Sequence, residues 1–289
     1  MSTPKNQSLG RALTLLEQVA SAPRGTGIKV LAMRAGLSVA TAHRLLSTLE
    51  SLGMVMREGS AGYCIGMTIR DLAAHTGTDE LIRMAATPHL KSLVKLFGQT
   101  VHVGVLDEEL MVTYVAKETP KRGFQVMTRL NAQLEAYCSG LGKVLLAAEP
   151  AERQRSYLAD SPFVALTPNT LTDPDSISAE LDRVRAQGYA LDNCEILETL
   201  RCVAVPIHGP AGRVVAALSM SGDRETMTDA FIAGAQPVLS EHAARISRKL
   251  FPQLAGAPTA ADTDEADDDQ PRAARRQADQ DDRPGAGAG

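Results

Sequence analysis

Tryptophan is absent from this 289-residue chain, and Phe, Tyr and Trp together make up only 3% of it. Its cores must therefore rest on Leu, Val, Ile, Ala and Met, which the 44% apolar content supplies in quantity. Cysteine is nearly as scarce. Cys64, Cys138, Cys194 and Cys202 are scattered without a C-x-x-C pair, which argues against a disulfide framework and against a zinc ribbon. Nowhere do eighteen uncharged apolar residues run together, so no membrane span is expected. The opening stretch MSTPKNQSLGRALTLLEQ has no apolar run followed by a small-residue cleavage site, so no signal peptide is expected either. The expectation is a soluble, reduced, cytoplasmic protein without cofactor or metal.

Charge is present but unevenly spread. Residues 1–70 hold eight Lys/Arg against three Glu, a balance of +5, while residues 253–289 hold four Arg against nine Asp/Glu, a balance of −5. The remainder, 71–252, is then −4, which equals the net charge of the whole chain. A basic amino-terminal block on an otherwise acidic protein suggests a local polyanion contact, although a surface imbalance without function gives the same count.

Periodicity divides the chain. Leu9, Ala12, Leu13, Leu16, Val19 and Ala20 recur at helical spacing, with Ser8 as N-cap. SAPRGTG interrupts them. A short helix then covers about Val30 to Ala35 and ends at Gly36. A third begins after Ser38 as cap and runs to about Leu52, its buried face being Ala42, Leu45, Leu46, Leu49 and Leu52. Met54 to Arg57, a Gly-Ser-Ala-Gly turn and Tyr63 to Ile65 read as a hairpin. Helix, helix, turn, helix, hairpin over residues 8–66 is a winged helix-turn-helix. Helical spacing continues over 68–75 and 79–97. The period then changes to strands at VHVGVL and LMVTYVA, with GFQVMT a third candidate. SGLGKVLLAAE returns to helix. SISAELDRVRAQG is an amphipathic helix with Ser176 or Ser178 as cap and Gly188 as stop. YALDNCE, CVAVPI and VVAALSMS are strands, and residues 225–250 form a closing helix. Hairpins mixed with helices indicate one α+β domain. From about Ala255 the chain has almost nothing to bury and is expected to be disordered. The expected organisation is a winged helix-turn-helix over 1–67, a connecting helix over 68–78, an α+β domain with antiparallel sheet over 79–252, and an acidic tail over 253–289.

The third helix carries Ala40, Thr41, Arg44 and Thr48 on the face opposite its leucines. In a helix-turn-helix the second helix enters the major groove and its early residues meet base edges. Small residues let the backbone approach, Thr41 can bond a base or phosphate, and Arg44 can pair with guanine O6 and N7 or with a phosphate. The helix start, with Ser38, also suits a phosphate oxygen. Arg57 on the hairpin suits a phosphate beside the minor groove, or is a solvated edge charge. An ordinary solvated bundle helix has the same pattern; the hairpin immediately after it favours DNA.

With these segments in order the chain resembles the IclR-type transcriptional regulators. The resemblance covers about 8–250 and rests on SLGRALTLLEQVA, AMRAGLSVATAHRLLSTLESLGMV and GYCIGMTIRDLA, then SGLGKVLLA, ELDRVRAQGYALDNCE, and CVAVPI leading to VVAALSMSG. It implies a winged helix joined by a linker helix to a GAF-like effector domain, no enzymatic activity, a homodimer or homotetramer, and a duplex DNA operator. A repressor is implied more than an activator, and the effector is a small organic acid, aromatic acids included. Val39 and Ala40 stand where relatives often have a basic residue and a Ser, so the operator sequence does not carry over.

For the effector, the residues alone give two hints. Ser139 caps a helix opening GLGK, whose free amides suit a carboxylate; close packing of that start on a strand is the alternative. It is not a P-loop, since Val144 follows Lys143. In VVAALSMS, Ser219 and Ser221 share a face with Val215 and Ala217, which describes either a pocket or a packed sheet. The resemblance implies a site lined by Gly140, Leu141, Asp192, Leu200, Cys202, Leu218 and Ser219, to which the capping argument adds Ser139. Asp192 would accept a hydroxyl proton from the ligand or cap a loop, with Glu195 a weaker candidate. One rival is an enzyme using Cys202 or Cys138, with His102 or His208 as base. The other is a scaffold whose winged helix binds protein, not DNA.

Overall fold

A computed structural model describes residues 6–59, 62–74, 77–159 and 162–254. The tail beyond Leu254 and the wing tip at 60–61 lie outside them. The chain divides into two compact units between Met84 and Ala85.

The first unit contains α1 (Gln7–Ser21), β1 (Thr26–Gly27), α2 (Ile28–Arg34), α3 (Val39–Ser51), β2 (Val55–Glu58), β3 (Gly62–Ile65) and α4 (Met67–Ala74). Asn6, not Ser8, caps α1: its Oδ1 accepts from the amides of Ser8 and Leu9 at 3.1 and 3.2 Å. The buried stripe of α1 is correspondingly Leu15 and Val19, while Leu9 and Leu13 are exposed. Ser38 caps α3, accepting from the Thr41 amide at 3.2 Å. Gly36, at φ +64°, supplies the left-handed turn that swings the chain from α2 into α3. Ala42, Leu46 and Leu49 of α3 pack on Leu15, Leu31, Val55 and Tyr63. Leu45 is half-buried at the edge of that core, and Leu52 is exposed because α3 has ended before it. The wing is a three-stranded antiparallel sheet in the order β1-β3-β2. Its third strand, β1, is too short for any periodicity to reveal.

The second unit follows from within α5 (Thr78–Phe97). It contains β4 (Thr100–Leu106), β5 (Val112–Glu118), β6 (Gln133–Leu134), α6 (Gly140–Ala147), α7 (Ala151–Ala159), α8 (Pro174–Gln187), β7 (Ala190–Asn193), β8 (Leu200–His208), β9 (Val214–Asp223) and α9 (Asp229–Leu250). Six strands make one antiparallel sheet in the order β6-β5-β4-β9-β8-β7. GFQVMT is not a strand. The carbonyls of Val126 and Thr128 are instead taken by the Lys117 ammonium at 2.8 and 2.9 Å, so that segment crosses the sheet rather than joining it. Asp173, not Ser176 or Ser178, caps α8 through the Ser176 amide, and Gly188 closes that helix at φ +79°.

The two sheet faces have different partners. Leu141, Val144 and Leu145 of α6 join Ile177, Leu181 and Val184 of α8 in a core with Tyr114, Ala204 and Ala217. Successive strand residues alternate faces, so Val203, Val205, Leu218 and Met220 point the other way, where α9 packs on β8 and β9. Ser247 of α9 accepts from the His208 amide at 3.0 Å. His89 of α5 meets His242 of α9 through their Nδ1 atoms at 3.1 Å.

Candidate functional site

On the first unit, Ala40, Arg44 and Thr48 of α3 are exposed and Thr41 is half-buried beside Ser38. Their hydroxyls already have local partners: Ser38 Oγ and Thr41 Oγ1 lie 2.9 Å apart, and Thr48 Oγ1 donates to the Arg44 carbonyl at 3.1 Å. Arg44 forms no ion pair among the described residues, so its guanidinium is available to a ligand outside the chain. Arg57 differs. Its Nε donates to Glu50 Oε2 at 3.2 Å and its guanidinium lies 5.6 Å from the Tyr63 ring centre, so a phosphate must compete with a carboxylate for it. His43 and Ser47 share the exposed face of α3 with Arg44. The helical period places them there: His43 stands three after Ala40 and Ser47 three after Arg44, so their signal is present in the sequence beside that of Ala40.

In the second unit, a cavity of about 750 Å³ lies on the α6 side of the sheet. Strand register builds its floor. One row across the sheet reads Lys117, His102, Ser219, Ala204; the next reads Thr100, Ser221, Cys202, Asp192. Tyr114 and Lys117 both line the cavity although they stand three apart in one strand. A β-bulge at Val115 makes this possible: Ala116 pairs Val103 and Tyr114 pairs Gly104, so the alternation inverts between them. No periodicity argument finds Lys117 for that reason.

Of the residues expected at an effector site, Ser139, Gly140, Leu141, Asp192, Leu200, Cys202 and Ser219 line the cavity. Leu218 does not. It follows Ala217 and precedes Ser219 in β9, so its fully buried side chain lies on the α9 face. Ser139 Oγ accepts from the Gly142 amide at 3.0 Å and so faces its own helix. A methyl group on Gly140 would meet Cys202 Sγ at 3.1 Å and Ala204 Cβ at 3.3 Å, and one on Gly142 would fall 2.2 Å from the Ala136 carbonyl oxygen. Both glycines therefore allow close packing of the α6 start.

Asp192 is the electrostatic centre. It is 1% exposed, and its Oδ1 accepts from the Glu195 amide at 2.7 Å. Its Oδ2 is buried without a hydrogen-bond partner among the described residues. Burial pushes its carboxyl up to about 7, an effect that the Glu195 charge adds to and Lys143 opposes. Lys143, also 1% exposed, runs beneath: its Nζ donates to Glu195 Oε1 at 2.5 Å, to the Leu191 carbonyl at 3.0 Å and to Glu180 Oε1 at 3.4 Å. This buried cation ties the helix that forms one wall to the 191–196 turn that forms another. Thr167 and Thr170 pin the same turn by donating to the carbonyls of Cys194 and Glu195 at 2.7 and 2.6 Å.

The buried imidazole, phenol and thiols nearby are neutral. Burial depresses the His102 imidazole to about 3, and its Nε2 lies 2.7 Å from Thr128 Oγ1. Burial also raises the Tyr114 phenol and pushes the Cys202 and Cys138 thiols up to about 12. A nucleophilic cysteine needs a thiolate, so neither thiol is equipped for covalent catalysis. Among the described residues no group of three or more His, Cys, Asp or Glu could hold a metal ion, and no helix is long and apolar enough to cross a membrane.

A winged helix whose recognition helix exposes a guanidinium with no ion pair among the described residues, carried on the same chain as a unit that holds a largely apolar cavity with a buried carboxyl, defines a DNA-binding transcriptional regulator. Residues 8–59 match the IclR helix-turn-helix domain, and residues 74–248 match the family described as bacterial transcriptional regulator IclR C-terminal. The chain belongs to the IclR family of transcriptional regulators. It is similar to the HTH-type transcriptional regulator XynR of Escherichia coli (strain K12), at 32% identity over 248 residues covering 86% of this chain and 98% of XynR. Among solved structures it is similar to the repressor BlcR of Agobacterium tumefaciens, with TM-score 0.53 and 26% identity over 84% of this chain and 96% of that one. It shares the fold of an IclR homologue from Microbacterium hydrocarbonoxydans complexed with 4-hydroxybenzoate, with TM-score 0.56 and 24% identity over 84% and 99% of the two chains.

Proposed function

We propose that this regulator binds a duplex operator as a homodimer or homotetramer and that a small organic acid in the cavity of its second unit controls that binding. Repression is the sense we propose, as BlcR is named a repressor. Ser38, Ala40, Thr41, Arg44 and Thr48 meet the major groove, joined by His43 and Ser47, while Arg57 exchanges Glu50 for a flanking phosphate. Two such helices read half-sites about one helical turn, roughly 34 Å, apart. The acid acts by favouring an oligomer arrangement in which the half-site spacing no longer fits, which requires that it bind the two arrangements with different affinity.

The observation that carries this reading is the cavity itself. It joins a largely apolar lining to two buried polar atoms, Asp192 Oδ2 and Ser219 Oγ, that have no oxygen or nitrogen partner among the described residues. Leaving buried polar groups unpaired costs about 1–3 kcal/mol each, a cost that a bound hydroxyl or carboxylate relieves. The Microbacterium complex supports the ligand class with its 4-hydroxybenzoate, an acid carrying a hydroxyl. The test is operator binding by the full-length protein, followed by fluorescence anisotropy, against a panel of aliphatic, aromatic and hydroxy acids. At least one acid is expected to weaken operator binding tenfold or more, and Asp192→Asn to abolish that response while keeping basal affinity. Operator affinity indifferent to every acid in the panel would refute it.

A further inference from the structure

Charge in the cavity is unevenly placed, and the role this gives to Lys117 rests on the cavity being a ligand site. Lys117 lines the cavity from β5, four strands across the sheet from Asp192 in β7. Its Nζ donates to the carbonyls of Val126 and Thr128, which uses two of its three N–H groups. No carboxylate pairs with it among the described residues. Its neighbours along the row are His102, neutral because it is buried, and Ser219, whose hydroxyl lies beside the Cys202 thiol without an oxygen or nitrogen partner. Burial without a counter-charge pulls the Lys117 ammonium below its ordinary range. Much of the surrounding surface is apolar, from Val126, Leu134, Leu141, Ile196 and Leu200. A half-buried cation held by two carbonyl dipoles, facing an apolar hollow, lacks only an anion.

We infer that Lys117 reads the charge of the ligand: the bound molecule is an organic anion with an apolar body, and its carboxylate lies at the β5 end of the cavity against Lys117 rather than at the start of α6. The α6 start offers backbone amides but no charged group. Ser139 Oγ caps the Gly142 amide, and Gly140 packs close to Cys202 and Ala204. Lys117, by contrast, offers a full charge and a free N–H. It is placed there by the bulge at Val115 and held there by segment 126–128, which crosses the sheet instead of joining it. Arg129 lines the same end but is exposed, so it attracts anions to the mouth more than it holds them. The orientation leaves the opposite end of the ligand facing Asp192 and Ser221.

The test uses the lack of tryptophan in this chain. Leu197→Trp puts a single tryptophan, which is excited selectively at wavelengths where the five tyrosines do not absorb, at an exposed position on the cavity lining. The full-length variant is titrated with 8-anilinonaphthalene-1-sulfonate, whose sulfonate stands in for a carboxylate, and with its uncharged counterpart N-phenyl-1-naphthylamine. Energy transfer from Trp reports dye bound close to the cavity, and its response to Lys117→Gln reports contact with the lining. Adding Lys117→Gln, which keeps an N–H for the two carbonyls but removes the charge, is expected to raise the Kd of the sulfonate at least tenfold and to change that of the neutral dye less than threefold. Lys117→Arg, which keeps the charge, is expected to preserve the preference for the sulfonate. A sulfonate affinity that survives Lys117→Gln, or an equal loss of both dyes, overturns the role of Lys117 while leaving the cavity a ligand site. Energy transfer to neither dye overturns the ligand-site reading and this inference together.

Discussion

Asp192→Asn should make the protein more stable at neutral pH while making it deaf to its ligand, and the size of the gain follows from burial. The carboxyl is pushed from an ordinary 3.8 up to about 7. In the folded state it therefore holds a proton that the unfolded state has already released between pH 4 and 7. Stability is lost as pH rises through that window and is level above it. A displacement of about three units corresponds to about 4 kcal/mol in total, of which about 2–3 kcal/mol falls between pH 5 and pH 8. Asparagine cannot ionise, so the variant lacks this loss, although it exchanges the charge-assisted bond from the Glu195 amide for a neutral one worth about 1 kcal/mol less. Urea unfolding of wild type and variant, followed by far-ultraviolet circular dichroism at pH 5, 6, 7 and 8, measures it. The stability difference should move in favour of the variant by about 2–3 kcal/mol from pH 5 to pH 8. A difference constant across that range would show that Asp192 titrates as an ordinary carboxylate, and the electrostatic account of the cavity would fail.

Other substitutions separate the parts of the molecule. Arg44→Ala should weaken operator binding by about 1–3 kcal/mol, or roughly 5- to 150-fold, and leave the ligand-induced rise in melting temperature unchanged; a gel-shift titration and a thermal melt check both. Lys143→Met should cost about 3–5 kcal/mol in urea unfolding because Glu195 and Glu180 lose their buried counter-charge, and adding Glu195→Gln should recover part of that loss. Leu218→Ala should destabilise by about 2–5 kcal/mol with ligand affinity within twofold, as it lies on the α9 face. Ser219→Ala should do the reverse, altering the ligand dose-response with little effect on the melt, since its buried hydroxyl has no oxygen or nitrogen partner to lose.

How far each feature is legible in the sequence depends on how local its causes are. The α3 helix is readable because its cap, its leucines and its closing Gly53 all lie within sixteen residues, and strands β8 and β9 because alternation shows directly on both sides of a short connection. The caps of α1 and α8 fall a few residues from their expected places, since Asn6, Ser8, Asp173 and Ser176 are all competent caps and only the backbone decides among them. GFQVMT has strand composition but its carbonyls go to Lys117, a partner that no local pattern specifies. The cavity is half legible. Its β7, β8 and β9 residues follow from alternation, whereas Tyr114 and Lys117 share a face only because of a bulge. The family resemblance puts Leu218 and Ser219 together at the site, yet two successive strand residues cannot both face one side without a bulge between them.

The central claim is that α3 lies in the major groove of duplex DNA, and chemical interference tests it most directly. Dimethyl sulfate methylates guanine N7 in the major groove and adenine N3 in the minor groove. Duplexes selected from a random pool by the full-length protein are lightly methylated, and bound and free fractions are compared. The account predicts interference at guanine N7 in two clusters about one helical turn apart, with the cluster signal lost in Arg44→Ala. Interference confined to adenine N3, or a pattern at guanine N7 that Arg44→Ala leaves unchanged, would contradict it.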